Sequence, residues 1–371
     1  MDTKHELGVS SSEKQLNGLL LKKVEFLDVP SSVSVSSEGY EAMTLPGFQY
    51  IEPKSLKEAS RLLRQAGRGK ILGGGTDLLT LMRTRLEKPA FVIGLGAVPG
   101  LSSIRYQKGR GLSIGAFTTL SALCHSSEVQ EQCPMLAQAA EKIASPQMRN
   151  AATLGGNILL DTKCPYYNQS PLWLESGEPC LKAGGDICLA VKGQKSCYAV
   201  WSSDTAPPLV ALGARVKLVR DGKERWLAGD QLYTGLGDKP CAVAADEILT
   251  EILIPEHSCR LRGVYLRYSQ RQVIDYPVVS VAVAYYQHKK PAAFRIVAGG
   301  VNPAPKRLVQ AEALLRNQSI DAGLAQKAAA MAAKEVGPIK DVFYPSRFKR
   351  DVLRALVEDG IIACVFGEKA G

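Results

Sequence analysis

An α+β fold is what this sequence predicts, on three observations. Between residues 70 and 95 a strand, a glycine-rich loop, a helix and a second strand follow one another. After residue 209 apolar strands fall close together, which implies antiparallel pairing. From residue 260 three strands precede three helices, the order of a sheet with helices packed on it. At 371 residues the chain is long enough to bury more than one core.

Residues 1 to 42 differ from the rest: Ser10 to Ser12 and Pro30 to Gly39 give low apolar content and no helical stripe, so this stretch reads as a mobile extension. Order begins near Leu45, with a short strand and turn at PGFQYIEP. Ser55 and Glu58 then fit a capping box, Leu56, Ala59, Leu63 and Ala66 share one helical face, and Gly67 closes the helix. Next come a strand end at Lys70 to Leu72, the loop GGGT, a helix in DLLTLMRTRL and a buried strand at Ala90 to Leu95. Gly111 to Leu123 reads as strand, turn and helix, and Met135 to Ala144 as a helix ended by Ser145-Pro146. LVALGARVKLVR, KERWLA and Glu247 to Pro255 supply strands. The last unit has strands at GVYLRYSQ, VVSVAVAYYQ and AFRIVAGGV, then helices at Lys306 to Leu315, Ala322 to Val336 and Ser346 to Glu358.

Several function classes fall away. Lysine and arginine outnumber carboxylates 46 to 36, but the excess is spread along the chain, with small concentrations at Lys306 to Leu308 and Arg347 to Arg350; no nucleic-acid motif accompanies it, so a solvated surface or an acidic protein partner is the better account. No apolar run approaches the roughly 18 to 20 residues that span a bilayer, and no secretory leader pattern is evident. Nine cysteines without that pattern imply a reducing, cytosolic setting in which thiols stay free or ligate metal. The four histidines, His5, His125, His257 and His288, enter no HExxH or Cys–His arrangement, and there is no GxSxG, so hydrolase chemistry is not indicated.

Three motifs carry chemistry. ILGGGTDLL (Ile71 to Leu79) sets three glycines between strand and helix, where backbone N–H groups approach a pyrophosphate closely and the helix N-terminus adds a favourable dipole. It has neither the spacing of G-x-G-x-x-G nor the ending of a P-loop, and taken alone it is equally a tight turn. ATLGGN is a second glycine turn, in which Thr153 and Asn157 offer hydrogen bonds to phosphate or ribityl oxygens. Asp204, acceptor-only when ionised, belongs beside sugar hydroxyls rather than pyrophosphate, or else caps a helix ahead of Pro207 and Pro208. Between the second and third motifs lies a segment with Cys164, Cys180, Cys188 and Cys197, rich in proline and glycine and poor in core. Four thiolates on a cluster would organise such a loop. Structural zinc usually takes close C-x2-4-C pairs, absent here, although spacing alone leaves cluster, zinc and unligated thiols open. The remaining cysteines, Cys124, Cys133, Cys241, Cys259 and Cys364, show no grouping, and Tyr166, Tyr167, Trp173, Tyr198 and Trp201 are explained by packing.

ILGGGTDLL, IASPQMRNAATLGGN and SSDTAPPL, followed by LRYSQRQVIDYPVVSVAVAY and IVAGGVNPAPKR, resemble in that order the flavoprotein subunit of the xanthine dehydrogenase family of molybdenum hydroxylases, over roughly residues 44 to 365. The forty-residue insertion, opening LDTKCPYY, is similar to the one that binds a 4Fe-4S cluster in the beta subunit of 4-hydroxybenzoyl-CoA reductases. The resemblance implies an FAD-binding domain of two subdomains over residues 43–259, with a cluster-binding insertion at about 160–201, and a C-terminal flavoprotein domain over 260–371. It implies that Ile71, Leu72, Gly73, Gly74, Gly75, Thr76, Asp77 and Leu78 wrap the FAD pyrophosphate, that Thr153, Gly156 and Asn157 form the second flavin turn, that Asp204 holds hydroxyls and that Arg267 is a basic residue near the flavin. Cys164, Cys180, Cys188 and Cys197 would hold the cluster, and no residue of this chain would be catalytic. The implied partners are a molybdopterin-binding large subunit and a small 2Fe-2S subunit in a dimer of heterotrimers, with ferredoxin as donor and docking aided by the positive charge balance. The implied reaction, on a partner chain, is dehydroxylation of 4-hydroxybenzoyl-CoA. The alternatives are a hydroxylase flavoprotein passing electrons outward from FAD to NAD or another acceptor, and a zinc-binding scaffold without flavin. Residues 1 to 42 have no counterpart in the resemblance, which makes Met43 an alternative start.

Overall fold

The computed structural model describes residues 44–66, 69–191, 193–287, 293–337 and 343–367. The expected N-terminal extension, Met43, Gly67, His5 and His288 lie outside these.

The first unit contains β1 (Gln49–Ile51), α1 (Leu56–Ala66), β2 (Gly69–Leu72), α2 (Leu78–Arg83) and β3 (Phe91–Gly94), with a parallel sheet ordered β1-β3-β2. Ser55 Oγ accepts from Glu58 N at 3.2 Å, while the Glu58 carboxylate accepts from Lys54 N at 2.9 Å, so the reciprocal cap is displaced by one residue from the expected box. α1 buries Ala59, Leu62 and Leu63 in one core with Ile93 and Leu95. α2 is shorter than the sequence suggested, because Thr84 closes it and Arg85 turns to a positive φ of 61°.

The second unit opens with β4 (Ile104–Gln107) and β5 (Gly111–Gly115) and continues through short helices, α3 (Leu120–His125), α4 (Ser127–Gln132), α5 (Pro134–Glu141), α6 (Pro146–Ala151) and α7 (Leu154–Ile158). The cysteine segment, with α8 (Pro171–Glu175), interrupts it before α9 (Ala206–Ala211), β6 (Arg215–Arg220), β7 (Lys223–Ala228) and β8 (Ile248–Pro255). Its sheet, ordered β4-β5-β8-β6-β7, is antiparallel throughout, as the close spacing of the strands implied. Three local expectations are corrected. Ser145-Pro146 starts a helix: α5 has already ended at Glu141, Ser145 Oγ accepts from Met148 N at 3.3 Å, and Pro146 sits in the first turn, where its missing N–H costs nothing. TLGGN is a helical turn capped by Thr153, whose Oγ1 accepts from Gly156 N at 3.1 Å. Leu209 to Ala211 belong to α9 and the strand starts at Arg215, since Pro207 and Pro208 in the first turn favour helix where the apolar run alone is ambiguous.

The third unit has β9 (Arg262–Tyr268), β10 (Val279–Tyr286), β11 (Ala293–Gly299), β12 (Lys306–Arg307), α10 (Val309–Leu315), α11 (Ala322–Glu335) and α12 (Ser346–Phe366). Lys306 and Arg307 pair with Ala298 and Val297 as an edge strand rather than opening a helix, and α12 runs to Phe366 rather than Glu358. β10 shows how this unit attaches. Val279, Val281 and Val283 share a core with Leu353, Val357 and Ile361 of α12. On the other face Ala282, Ala284 and Tyr286 join the core of the second unit with Leu209, Val210 and Leu136. Alternation of valine and alanine therefore sorts the two faces, and the small residues let α9 approach the sheet.

Candidate functional site

A cleft of about 450 Å³ runs between the first and second units, a size in the range that small-molecule sites occupy. Its wall includes Ile71, Gly73, Gly74, Gly75, Thr76, Asp77 and Leu78 from the first glycine loop and Thr153, Gly155, Gly156 and Asn157 from the second, so the two predicted motifs face one space. The glycines are required by close approach of backbone to backbone: a Cβ on Gly74 would collide with the Ala151 carbonyl oxygen, and one on Gly73 would lie 2.8 Å from Thr153 Oγ1. Gly75 holds a positive φ of 74°. The N–H groups of Gly74, Gly75 and Thr76 have no acceptor among the described residues, leaving donors for an anion. α2, only six residues long, adds little dipole. Leu72 ends β2 and is not part of the cleft wall.

Asn157 does more than sequence suggested. Its Oδ1 accepts from Ser203 Oγ at 2.7 Å and Thr205 Oγ1 at 2.5 Å, so its side-chain carbonyl ties the second glycine segment to the third motif across the whole insertion. Asp204 lines the cleft, and its Oδ1 accepts from Tyr265 Oη at 2.6 Å and Arg267 Nη1 at 3.0 Å, which leaves Oδ2 for hydroxyl donors. Burial pushes the Asp204 carboxyl up, against the opposing pull of Arg267 and Tyr265. Asp204 caps no helix; Thr205 occupies that position in α9. Arg267 is buried behind Asp204, both side chains 4% exposed, and does not reach the cleft wall. Basic residues that do are Lys70 and Arg271, the latter on a segment with Ile274, Asp275 and Tyr276 that reaches over the cleft from the third unit. That segment is pinned by Ile274 N to Ala144 O at 3.1 Å and by Arg271 N to Asp275 Oδ2 at 2.9 Å. Its sequence, RQVIDY, has no periodicity to mark it.

Asp77 would repel a pyrophosphate, yet Lys163 forms an ion pair with it and also stands 5.8 Å from the centre of the Tyr276 ring. Lys163 lies at the root of the cysteine insertion. There it exchanges two backbone hydrogen bonds with Val200, at 2.9 and 3.0 Å, so the two ends of the insertion leave the flavin-side fold together.

The four predicted cysteines line one small cavity of about 10 Å³, together with Tyr166, Tyr167, Leu181, Lys182, Leu189 and Ala199. Cys180, Cys188 and Cys197 are buried at 7, 6 and 6% exposure. Tyr166 and Tyr167 thus shield the cavity, whereas Trp201 packs against Tyr233 with ring centres 4.8 Å apart and Trp173 is exposed. Burial pushes the Cys197 thiol up to about 11, and it also raises Cys164, near which Cys180 and Cys188 add repulsion. Such thiols ionise when a cationic metal group draws off their protons. No three His, Cys, Asp or Glu side chains among the described residues converge as ligands of a single metal ion. Cys124, Cys133, Cys241, Cys259 and Cys364 lie outside this cavity. No described helix is long and apolar enough to cross a membrane.

Two subdomains closing on a cleft between glycine-rich backbone segments define the kind of protein that binds an extended, phosphate-bearing ligand such as a dinucleotide. Residues 46–257 match the FAD binding domain in molybdopterin dehydrogenase, and residues 264–363 the CO dehydrogenase flavoprotein C-terminal domain. The chain belongs to this family of FAD-binding subunits of xanthine dehydrogenase and CO dehydrogenase type, and is an oxidoreductase subunit with the predicted α+β fold. It is 28% identical over 321 residues to the medium subunit of nicotine 6-hydroxylase from Paenarthrobacter nicotinovorans, covering 86% of this chain and 98% of that one. It is likewise 28% identical over 286 residues to the FAD-binding subunit of an aldehyde oxidoreductase from Escherichia coli (strain K12), covering 73% and 86%. Among solved structures, carbon monoxide dehydrogenase from Hydrogenophaga pseudoflava, in a form lacking the Mo-pyranopterin moiety, superimposes with a TM-score of 0.71 at 26% identity over 87% of this chain and 98% of that one.

Proposed function

We propose that this chain is the FAD- and iron–sulfur-carrying relay subunit of a molybdenum-dependent 4-hydroxybenzoyl-CoA reductase, with a 4Fe-4S cluster on Cys164, Cys180, Cys188 and Cys197. The observation that carries this reading is the convergence of those four cysteines on one cavity, in an insertion whose root also forms the wall of the FAD cleft. When bound, FAD and the cluster would supply electron-transfer chemistry, carrying electrons from ferredoxin towards a partner chain on which 4-hydroxybenzoyl-CoA would take up two electrons and two protons to give benzoyl-CoA and water.

The chain's own residues bind and position. Gly74 to Thr76 present backbone donors to the pyrophosphate, Lys163 neutralises Asp77 beside it, and Asp204 is held by Tyr265 and Arg267 to accept from sugar hydroxyls. The partners proposed are a molybdopterin-binding large subunit and a small 2Fe-2S subunit, paired as a dimer of heterotrimers; the designation of relatives as medium subunits or chains supports a place in such a complex. Among the described residues of the insertion, the exposed charged ones are Glu175, Glu178, Asp186 and Lys195, which form no cationic patch for ferredoxin docking. The positive balance would act only as long-range steering.

The names of the relatives, hydroxylases and carbon monoxide dehydrogenases, favour a second reading, an FAD subunit of a xanthine dehydrogenase-type hydroxylase that passes electrons outward to NAD or another acceptor. Stopped-flow reduction of the assembled complex by ferredoxin separates the two. Cluster bleaching is expected to precede flavin bleaching, and a Cys188→Ser complex that retains FAD should lose more than an order of magnitude in flavin reduction rate. An undiminished rate favours the second reading.

A further inference from the structure

One ion pair crosses the wall between the two cofactor spaces. Lys182 lines the cysteine cavity, and its Nζ donates to Asp161 Oδ1 at 2.7 Å, while Asp161 lines the FAD cleft. The lysine side chain is only 6% exposed and the aspartate 29%. The ammonium is fixed by two further acceptors, Thr162 Oγ1 at 2.7 Å and Thr162 O at 3.3 Å. Thr162 itself is fully buried and donates to Gly237 O at 2.5 Å, and Gly237 N donates back to the Cys197 carbonyl at 2.9 Å. The Lys182 ammonium also sits 4.9 Å from the centre of the Tyr167 ring, another wall of the cysteine cavity. A buried lysine is costly unless it is paired, and this one is held with its charge on the cysteine side and its counter-charge on the flavin side.

We propose that Lys182 and Asp161 form an oriented ion pair that raises the reduction potential on the cysteine side and lowers it on the flavin side. Resting on the cluster reading above, the inference follows from charge alone. An electron added on the cysteine side is stabilised by the neighbouring ammonium, which raises the potential there. Charge added to the flavin is destabilised by the neighbouring carboxylate, which lowers the potential there. Lys182 and Asp161 are positioning residues in this account and touch no substrate.

EPR-monitored redox titration of the purified complex provides the test, with iron and flavin content measured on each sample. Lys182→Met is expected to keep its iron and shift cluster reduction about tenfold towards the oxidised form, about 59 mV for one electron. Asp161→Asn is expected to shift the flavin in the opposite sense, to higher potential, and Lys182→Arg should restore the wild-type cluster value. Unchanged potentials in both variants, or shifts of the same sign, overturn the inference while leaving the cluster reading intact. Loss of iron in Lys182→Met and Lys182→Arg alike makes the lysine a structural strut and also overturns it. A wild-type complex whose insertion holds no iron overturns the cluster reading, and the inference with it.

Discussion

Cys188→Ser is expected to strip the insertion of the proposed cluster while leaving FAD bound. The thiol is buried in the cavity wall shared with Cys164, Cys180 and Cys197, and a serine hydroxyl is a far poorer ligand for iron than a thiolate. The FAD cleft should survive, because its glycine segments are held by bonds outside the cysteine cavity, including those from Asn157 to Ser203 and Thr205. The measurement is iron and flavin per chain after anaerobic purification, for serine variants of Cys188 and of Cys180. Iron should fall to background in the insertion with flavin close to wild type. Full iron retention in both variants would remove these cysteines from the ligand set.

Gly74→Val should release the flavin. The obstacle lies in the protein as well as in the ligand space, since a side chain there drives into the Ala151 carbonyl and pushes the first glycine loop away from the second. Overpacking of this kind costs about 1–3 kcal/mol, and if that cost falls on the bound geometry it weakens FAD by roughly five- to 150-fold. Gly73→Ala meets only the Thr153 hydroxyl and should be milder. Gly96→Ala, with open space around its Cβ, serves as the control. Flavin retention is read by absorbance and by titration of deflavinated protein, with circular dichroism to show that the chain is folded. A folded Gly74→Val protein with unchanged FAD affinity would make the loop an ordinary turn.

Much of this site was legible because its signals are local. Three glycines between a strand and a helix, and four cysteines in one coreless segment, announce themselves through residue type and spacing, and both groups come together in space. What stayed hidden depends on partners far away in the chain. The use of Asp204 is set by Tyr265 and Arg267, about sixty residues on, in a strand whose alternation reveals burial but not what its polar side chains reach. Arg271 and Tyr276 reach the cleft from an irregular segment with no period to read, and Arg267, the more conspicuous arginine, turns out to stand behind Asp204. Lys182 and Asp161 look like ordinary surface charges in sequence; only the folded insertion brings them together across a wall. The misplaced helix boundaries have a common cause as well. Pro146 was read as ending a helix, and the run after Pro207 and Pro208 as strand, yet each proline lies in a first helical turn, the one place where proline favours helix.

The central claim, that one chain carries FAD and a four-iron cluster side by side, is tested most directly by iron, acid-labile sulfide, zinc and flavin analysis of the anaerobically purified chain, with its reduced EPR spectrum. The expected result is about four irons and four sulfides for each FAD, with no stoichiometric zinc, and one cluster signal that disappears in the Cys188→Ser protein. A full complement of FAD with zinc in place of iron, or with neither metal, would contradict it.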